Sequence, residues 1–483
     1  MMNKRSLLLI LLVIPCLFLI SARPKERKPN IIMFLVDDLG WTDVGCNGSD
    51  FYKTPNVDKL ALEGMRFTDA YAACTVCSPT RASLMTGKYP ARLHITDWIP
   101  GHGKSFGKMQ IPDWTQYLPL EEYTIAEAFR DKGYTTAHIG KWHLGDDEKY
   151  RPQYQGFDVN IGGYGAGSPV GRGGTGYFSP YNNPELTDGP KGEYLTDRLT
   201  NEACTFIDKN KDKPFFMDFW LYSVHLPLQA KQATIDKYKQ LVNKDAHQVN
   251  PIYAAMVEHA DDALGTIMKK LKDAGLDDNT IVIFYSDNGG IIGNNGKRKI
   301  TSNYPLRSGK GDVYEGGVRV PLIFRWPGKI KAGAVSHDQV ISVDMFPTLL
   351  SLTGNKVDKT KNPVIDGVDI KSVLLSNRPL KQRPIYWHYP HYHTEGAKPY
   401  SAIRLGDWKL IEIFEEPEPQ LYNLKDDIGE SHDLHTANPQ KTKELLTMLQ
   451  KWRKGVGAQM PVKNPKYDPA KENQWDAAGK GEQ

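Results

Sequence analysis

The stretch Cys77-Ser-Pro79-Thr-Arg81-Ala-Ser-Leu84-Met-Thr86-Gly87 concentrates more chemistry than any other part of this chain. Pro79 suits the first turn of a helix, and Ser78 suits the cap before it. Cys77 would then stand at a helix N-terminus, where free N–H groups and the helix dipole attract an anion. Arg81, one turn on, can present a forked guanidinium to oxygens at the same place. Cys74-x-x-Cys77 also admits a redox pair or half a zinc site. Zinc would need a second ligand pair at matching spacing, and Cys16, Cys46 and Cys204 do not supply one. A redox pair would open a helix in a small thioredoxin-like unit, which a chain of 483 residues does not resemble.

Four further polar clusters accompany this motif. They are Asp37-Asp38-Leu39-Gly40, Gly140-Lys141-Trp142-His143, Ser223-Val-His225-Leu-Pro227 and Ser286-Asp287-Asn288-Gly289-Gly290. Taken singly, each has an ordinary reading, since Asp and Asn are frequent turn residues and most lysines are solvated. Their positions argue otherwise. Residues 31–36 are apolar without alternation, which predicts a strand buried on both faces of a parallel sheet. Residues 135–139, 215–222 and 281–285 read as further strands, and each cluster lies past the C-terminal end of one of these four strands. That edge is where open α/β sheets bind ligands.

Helices fill the intervals. Thr124-Ile-Ala-Glu127 predicts a capping box opening a helix that stops at Gly133. Ile252, Met256, Ala260, Leu264, Ile267 and Leu271 follow helical spacing, with Gly275 as the stop. Helices alternating with buried strands predict a layered α/β fold, a large and mostly parallel sheet between helices. The catalytic domain is expected over residues 29–360, with a polar, turn-rich linker at 354–363. A smaller C-terminal unit is expected over 366–460, from short antiparallel strands near 385–389, 400–404 and 408–414 and an amphipathic helix over 441–452. Residues 461–483 read as an irregular tail.

Residues 1–22 have the layout of a secretory signal peptide: Lys4 and Arg5, an apolar run from Leu7 to Ile20, then Ser21-Ala22. The expected product is exported, periplasmic or secreted, with no membrane insertion after the signal is removed. A net charge of +4 with no dominant basic run argues against nucleic acid as a partner.

Cys77-x-Pro79-x-Arg81 followed by Thr86-Gly87 resembles the signature of the type I, formylglycine-dependent sulfatases of the alkaline-phosphatase-like superfamily. Other segments resemble the same family: Thr54-Pro-Asn-Val-Asp58-Lys-Leu-Ala61, Leu118-Pro-Leu-Glu121-Glu122, Gly156-Phe157-Asp158 and Tyr314-Glu-Gly316-Gly317-Val-Arg319-Val-Pro321. The resemblance implies that a maturase oxidises Cys77 to formylglycine. It implies that Asp37, Asp38, Asp287 and Asn288, with the modified residue 77, hold a divalent metal. Three carboxylates and an amide oxygen are hard donors that suit Ca2+, with Mg2+ second. Arg81, Lys141, His143, His225 and Lys310 match the family's sulfate-binding and proton-transferring residues. His225 or Lys310 is expected to protonate the leaving oxygen, and His143 to take the proton that releases sulfate.

The substrate class is less legible. The segments at Leu118 and His225-Leu-Pro227 look most like arylsulfatase A and galactosamine-sulfatase relatives, which implies an O-sulfated galactose- or N-acetylgalactosamine-type sugar, attacked from the chain end. Competing expectations are a phosphonate or phosphate monoester hydrolase of the same superfamily, and an arylsulfatase of broad specificity. The aromatic and His-rich segments 98–102 and 387–393 are candidates for a sugar pocket, or equally for packing and a strand edge.

Overall fold

The computed structural model describes residues 27–293 and 299–476. The expected signal peptide at 1–22 lies outside them. Among the described residues no helix is long and apolar enough to cross a membrane.

Eight strands form the central sheet: β1 Asn30–Val36, β2 Met65–Phe67, β3 Thr135–Gly140, β4 Val159–Ile161, β5 Phe215–Trp220, β6 Thr280–Ser286, β7 Leu322–Arg325 and β8 Ala334–Ser336. Their order across the sheet is β8-β2-β7-β6-β1-β5-β3-β4. β6, β1, β5 and β3 are neighbours and mutually parallel, with β1 in register with both β6 and β5 (Phe34 opposite Phe284 and Phe219). β7 runs antiparallel to β6 and β2, which makes the sheet mixed.

Alternation along β1 divides two cores. Ile32, Phe34 and Val36 pack with the helices Leu195–Asn210 and Pro251–Asp273 on one face. Ile31, Met33 and Leu35 pack on the other face with Ala82, Leu84, Met85, Ile125, Phe129 and the helix Met345–Leu352. Successive side chains of a strand point to opposite faces, so a strand apolar at every position must be covered on both.

The helix starting at Ile125 is capped as its sequence predicts. Thr124 Oγ1 accepts the Glu127 N–H, and Glu127 Oε2 accepts the Thr124 N–H. A separate antiparallel sheet follows, β9 Pro384–Tyr389, β10 Tyr400–Leu405, β11 Trp408–Ile413 and β12 Gln420–Asn423, with the helix Pro439–Val456 packed on β10 and β11. β12 was not expected; its four residues are too few for alternation to declare itself. The tail is not wholly irregular either, because Val462–Lys463 pairs antiparallel with Met109–Gln110.

Candidate active site

The sheet topology explains why four distant loops meet. Since β6, β1, β5 and β3 are adjacent and parallel, their C-terminal ends share one edge, and the four polar clusters leave that edge side by side. Backbone hydrogen bonds knit them together. Asp37 N–H donates to the Ser223 carbonyl (2.9 Å), Val224 N–H to that of Asp37 (2.7 Å), and Lys141 N–H to that of Trp220 (2.8 Å). Lys310 joins from further along the chain through its N–H to the Gly290 carbonyl (3.1 Å).

The helix Cys77–Thr86 brings the fifth component. It begins two residues earlier than the sequence suggests: Val76 occupies the cap, Cys77 is the first helical residue, and Ser78 does not cap. Instead Ser78 Oγ accepts the Ile99 N–H at 3.1 Å. Cys77 remains at a helix N-terminus, and every residue of this helix is buried.

Charges alternate around Cys77. Arg81 donates Nε and Nη2 to Asp287 Oδ2 at 3.0 and 2.7 Å, and Nη1 to the Lys141 carbonyl at 2.9 Å. Its guanidinium lies 5.3 Å from the Trp220 ring centroid. Lys141 Nζ donates to Asp37 Oδ2 at 2.5 Å, and Lys310 Nζ to Asp38 Oδ2 at 2.9 Å. Asn288 Nδ2 donates to Asp38 Oδ1 at 2.7 Å. His225 Nε2 stands 3.7 Å from Asp38 Oδ2. Ligand atoms of Asp37, Cys77 and Asp287 lie within 4.8 Å of one another, as do those of Asp38, Cys77 and His225. The structure therefore gathers Asp37, Asp38, Cys77, Arg81, Lys141, His225, Asp287, Asn288 and Lys310 at one point. His143 flanks the group, its ring turned to the Ile99 carbonyl (2.5 Å).

Burial sets the electrostatics. It raises the Asp37 carboxyl well above the usual range, helped by Asp287 and opposed by Lys141. Burial would also raise Asp38, but Lys310, His225 and Lys141 outweigh it and hold that carboxyl low. Burial pushes the Cys77 thiol up against the pull of Lys141 and Lys310, so the unmodified side chain is a neutral thiol and a poor nucleophile. Burial and Lys141 push His143 well down, which keeps its imidazole neutral.

Two oxygens mark where a cation fits. Asp37 Oδ1 and Asn288 Oδ1 are buried without a hydrogen-bond partner, although buried oxygens are normally satisfied. Both belong to the acidic pairs facing Cys77. A hard divalent ion satisfies such oxygens and offsets the charge of the carboxylates.

Several contributors were not legible in the sequence. Ser286 Oγ accepts the Leu39 N–H and donates to the Asn288 carbonyl, locking the two acidic turns together. Trp220 backs Arg81. A Cβ on Gly167 would lie 2.4 Å from His143 Cε1, so only glycine there admits the ring. A serine, a strand-end tryptophan and a loop glycine carry no signal of their own; only adjacency of loops reveals them. The two aromatic segments divide. Trp98 packs against His102 (4.8 Å) and His143 (6.4 Å) beside the site. Trp387 and His388 serve packing, with Trp387 Nε1 donating to the Ala72 carbonyl and His388 bonded to Ser401 and Gln459.

Comparison with known proteins identifies the family. Residues 29–355 match the family model described as Sulfatase, and residues 309–455 match that described as N-sulphoglucosamine sulphohydrolase, C-terminal. N-acetylgalactosamine-6-sulfatase of Mus musculus is 32% identical over 83% of this chain and 75% of its own length. Arylsulfatase A of Homo sapiens is 30% identical over 88% and 86%. Among solved structures, Ps i-CgsB in complex with k-i-k-neocarrahexaose superposes with a TM-score of 0.74 at 31% identity, covering 91% of this chain and 95% of that one. With its cysteine helix, paired acidic turns and convergent cations on an α/β sheet edge, the chain belongs to the sulfatase family, enzymes that hydrolyse sulfuric esters.

Proposed function

We propose that this enzyme removes one O-sulfate from a terminal galactose- or N-acetylgalactosamine-type sugar, using formylglycine made from Cys77 and a bound calcium ion. The observation that carries the reading is the convergence of Arg81, Lys141 and Lys310 with two acidic pairs around a buried cysteine at a helix start. Cations alone would suit any oxyanion. The acidic pairs, with two unsatisfied oxygens among them, call for a metal as well.

Asp37, Asp38, Asp287 and Asn288 would hold the ion, calcium by their hard oxygens, with magnesium as the alternative. Bound there, it would polarise sulfate oxygens and acidify the nucleophile. Formylglycine would supply, as a hydrated aldehyde, one hydroxyl to attack sulfur and a second whose deprotonation expels sulfate. The remaining work falls to the chain's own side chains. Arg81, Lys141 and Lys310 bind the sulfuryl oxygens where negative charge develops. His225 Nδ1 donates to the Leu226 carbonyl (2.8 Å), which leaves Nε2 as the atom facing the site. From there His225 in its doubly protonated form, or the Lys310 ammonium beside it, protonates the leaving sugar oxygen. His143 spends its Nε2 proton on the Ile99 carbonyl, so Nδ1 is the basic atom. That nitrogen is buried without a partner and suits acceptance of the proton that frees sulfate.

The sugar assignment rests on the galactosamine-sulfatase and arylsulfatase A relatives, and the exo mode on walls around the rim. Residues 161–190 supply one wall. Tyr177 Oη donates to the Tyr222 and His225 carbonyls at 2.6 and 2.8 Å, tying this insertion to the catalytic loop. A closed pocket penalises a wrong epimer because it strands buried polar groups. The apolar run at 7–20 supports export, and a formylglycine-generating maturase is the implied partner.

Two measurements test the proposal. Mass analysis of the peptide spanning residue 77 should find formylglycine in active protein, and Cys77→Ala should abolish turnover with the fold intact. Fully active enzyme with an unmodified cysteine would refute the mechanism. Rates on sulfated mono- and disaccharides should exceed those on intact polymer. Preference for internal positions, or for sulfated glucosamine, would overturn the substrate assignment.

A further inference from the structure

The C-terminal segment beyond the second family match folds back onto the active-site rim. Val462–Lys463 pairs with Met109–Gln110. Asn464 Nδ2 donates to the Ser105 and Gly107 carbonyls at 2.9 and 2.8 Å. Asp476 N–H donates to the Gly103 carbonyl (2.9 Å), and its carboxylate accepts from Ser105 N–H and Oγ (3.2 and 2.8 Å). Three attachments on one short loop hold the segment in place, and they deliver Trp475 to a defined position.

The Trp475 ring lies 5.4 Å from His102 and 5.3 Å from the Lys104 ammonium. It is only half-buried. Inward from it the layers are continuous. His102 packs edge-on against His393 (4.8 Å) and against Trp98 (4.8 Å), and Trp98 touches His143. His393 in turn sits on the Lys310 segment. A Cβ on Gly311, whose φ is +87°, would lie 2.3 Å from His393 Nδ1.

One donor in this stack has nothing to bind. His393 Nδ1 accepts the Glu395 N–H at 3.2 Å, so its proton resides on Nε2. Nε2 is buried without a partner, in a side chain 3% exposed. A buried imidazole N–H left unsatisfied beside a binding site is a donor awaiting an acceptor on the ligand.

We infer that residues 462–476 are part of the substrate site: Trp475 forms the outer wall against which the sugar ring lies, and His393 Nε2–H receives a sugar oxygen beneath it. An aromatic wall with a hydrogen-bond donor below it recognises a pyranose by its apolar face and one oxygen. The tail is thereby a specificity element and takes no part in the chemistry. This rests on the sulfated-sugar reading given above.

The test compares a sulfated monosaccharide with a small aryl sulfate on the full-length, formylglycine-bearing enzyme. Trp475→Ala should lower kcat/KM for the sulfated sugar by about tenfold or more, mostly through KM. Hydrolysis of the aryl sulfate should change less than about twofold. Asp476→Ala, which loosens the tail without touching the ring, should give a smaller loss of the same kind. His393→Asn should act on the sugar substrate as Trp475→Ala does. Equal losses on both substrates, or none on the sugar with Trp475→Ala, would overturn the inference. Absence of sulfate-ester hydrolysis by the unaltered enzyme would instead refute the function proposed above.

Discussion

Replacing Arg81 with lysine isolates what a forked guanidinium contributes here. Arg81 makes three directed bonds, two to Asp287 Oδ2 and one to the Lys141 carbonyl. A lysine keeps the charge, but its single ammonium can restore at most one of the three. Two lost bonds involving a charged group are worth about 3–6 kcal/mol together. Some of this becomes lower fold stability, because Asp287 Oδ2 loses a buried partner. If roughly half appears as lost transition-state binding, at about 1.4 kcal/mol per tenfold, kcat/KM falls by about 10- to 100-fold. The assay is single-substrate kinetics on a sulfated sugar, with thermal melting and metal content measured on the same preparation. Arg81→Lys should melt lower, keep its metal and lose about 10- to 100-fold in rate. A variant that melts lower yet turns over within about threefold of the parent would show that Arg81 only braces Asp287, and the sulfate-binding role would fall.

Three other outcomes follow from the structure. Chelation should abolish activity, and calcium should restore both activity and melting temperature, since an ion that binds only the folded state stabilises it by about 4 kcal/mol at 1,000 times its dissociation constant; Asp38→Ala that keeps calcium and rate would refute the ligand set. Gly140→Ala should cripple folding or yield, because φ is +111° and a Cβ would lie 1.9 Å from the Trp220 carbonyl oxygen; normal soluble yield would refute this. Burial, with Glu315 adding to it against Lys409, raises the Glu430 carboxyl to about 7. Its stabilising contribution is therefore complete below the free-glutamate value and lost as pH rises through about 7, up to about 3 kcal/mol. Glu430→Gln should flatten the fall in melting temperature between about pH 5 and about pH 8, and an unchanged slope would refute the assignment.

The sequence by itself determined the strands and the polar clusters at their ends. A run apolar at every position, as at 31–36, has few solutions other than a strand covered on both faces, and Asp37-Asp38 must then emerge at its end. Cys77, Pro79 and Arg81 are neighbours along one helix, so their relation is local and the sequence shows it directly. Local rules failed where two signals competed. Ser78 is a good cap by type, yet its hydroxyl is taken by Ile99 from another loop, and Val76 takes the cap.

Tertiary structure decided which loops meet. Asp38 and Lys310 are joined only because β6 lies beside β1 and the chain after it returns across the sheet edge, an order that no spacing encodes. The same holds for Gly167 against His143 and for Trp475 against His102, which come from segments without periodicity. Contacts of this kind depend on strand order and loop closure, which the whole chain settles at once. Residue type can announce a reactive group, but only packing assigns its neighbours, and the neighbours set its charge and its use.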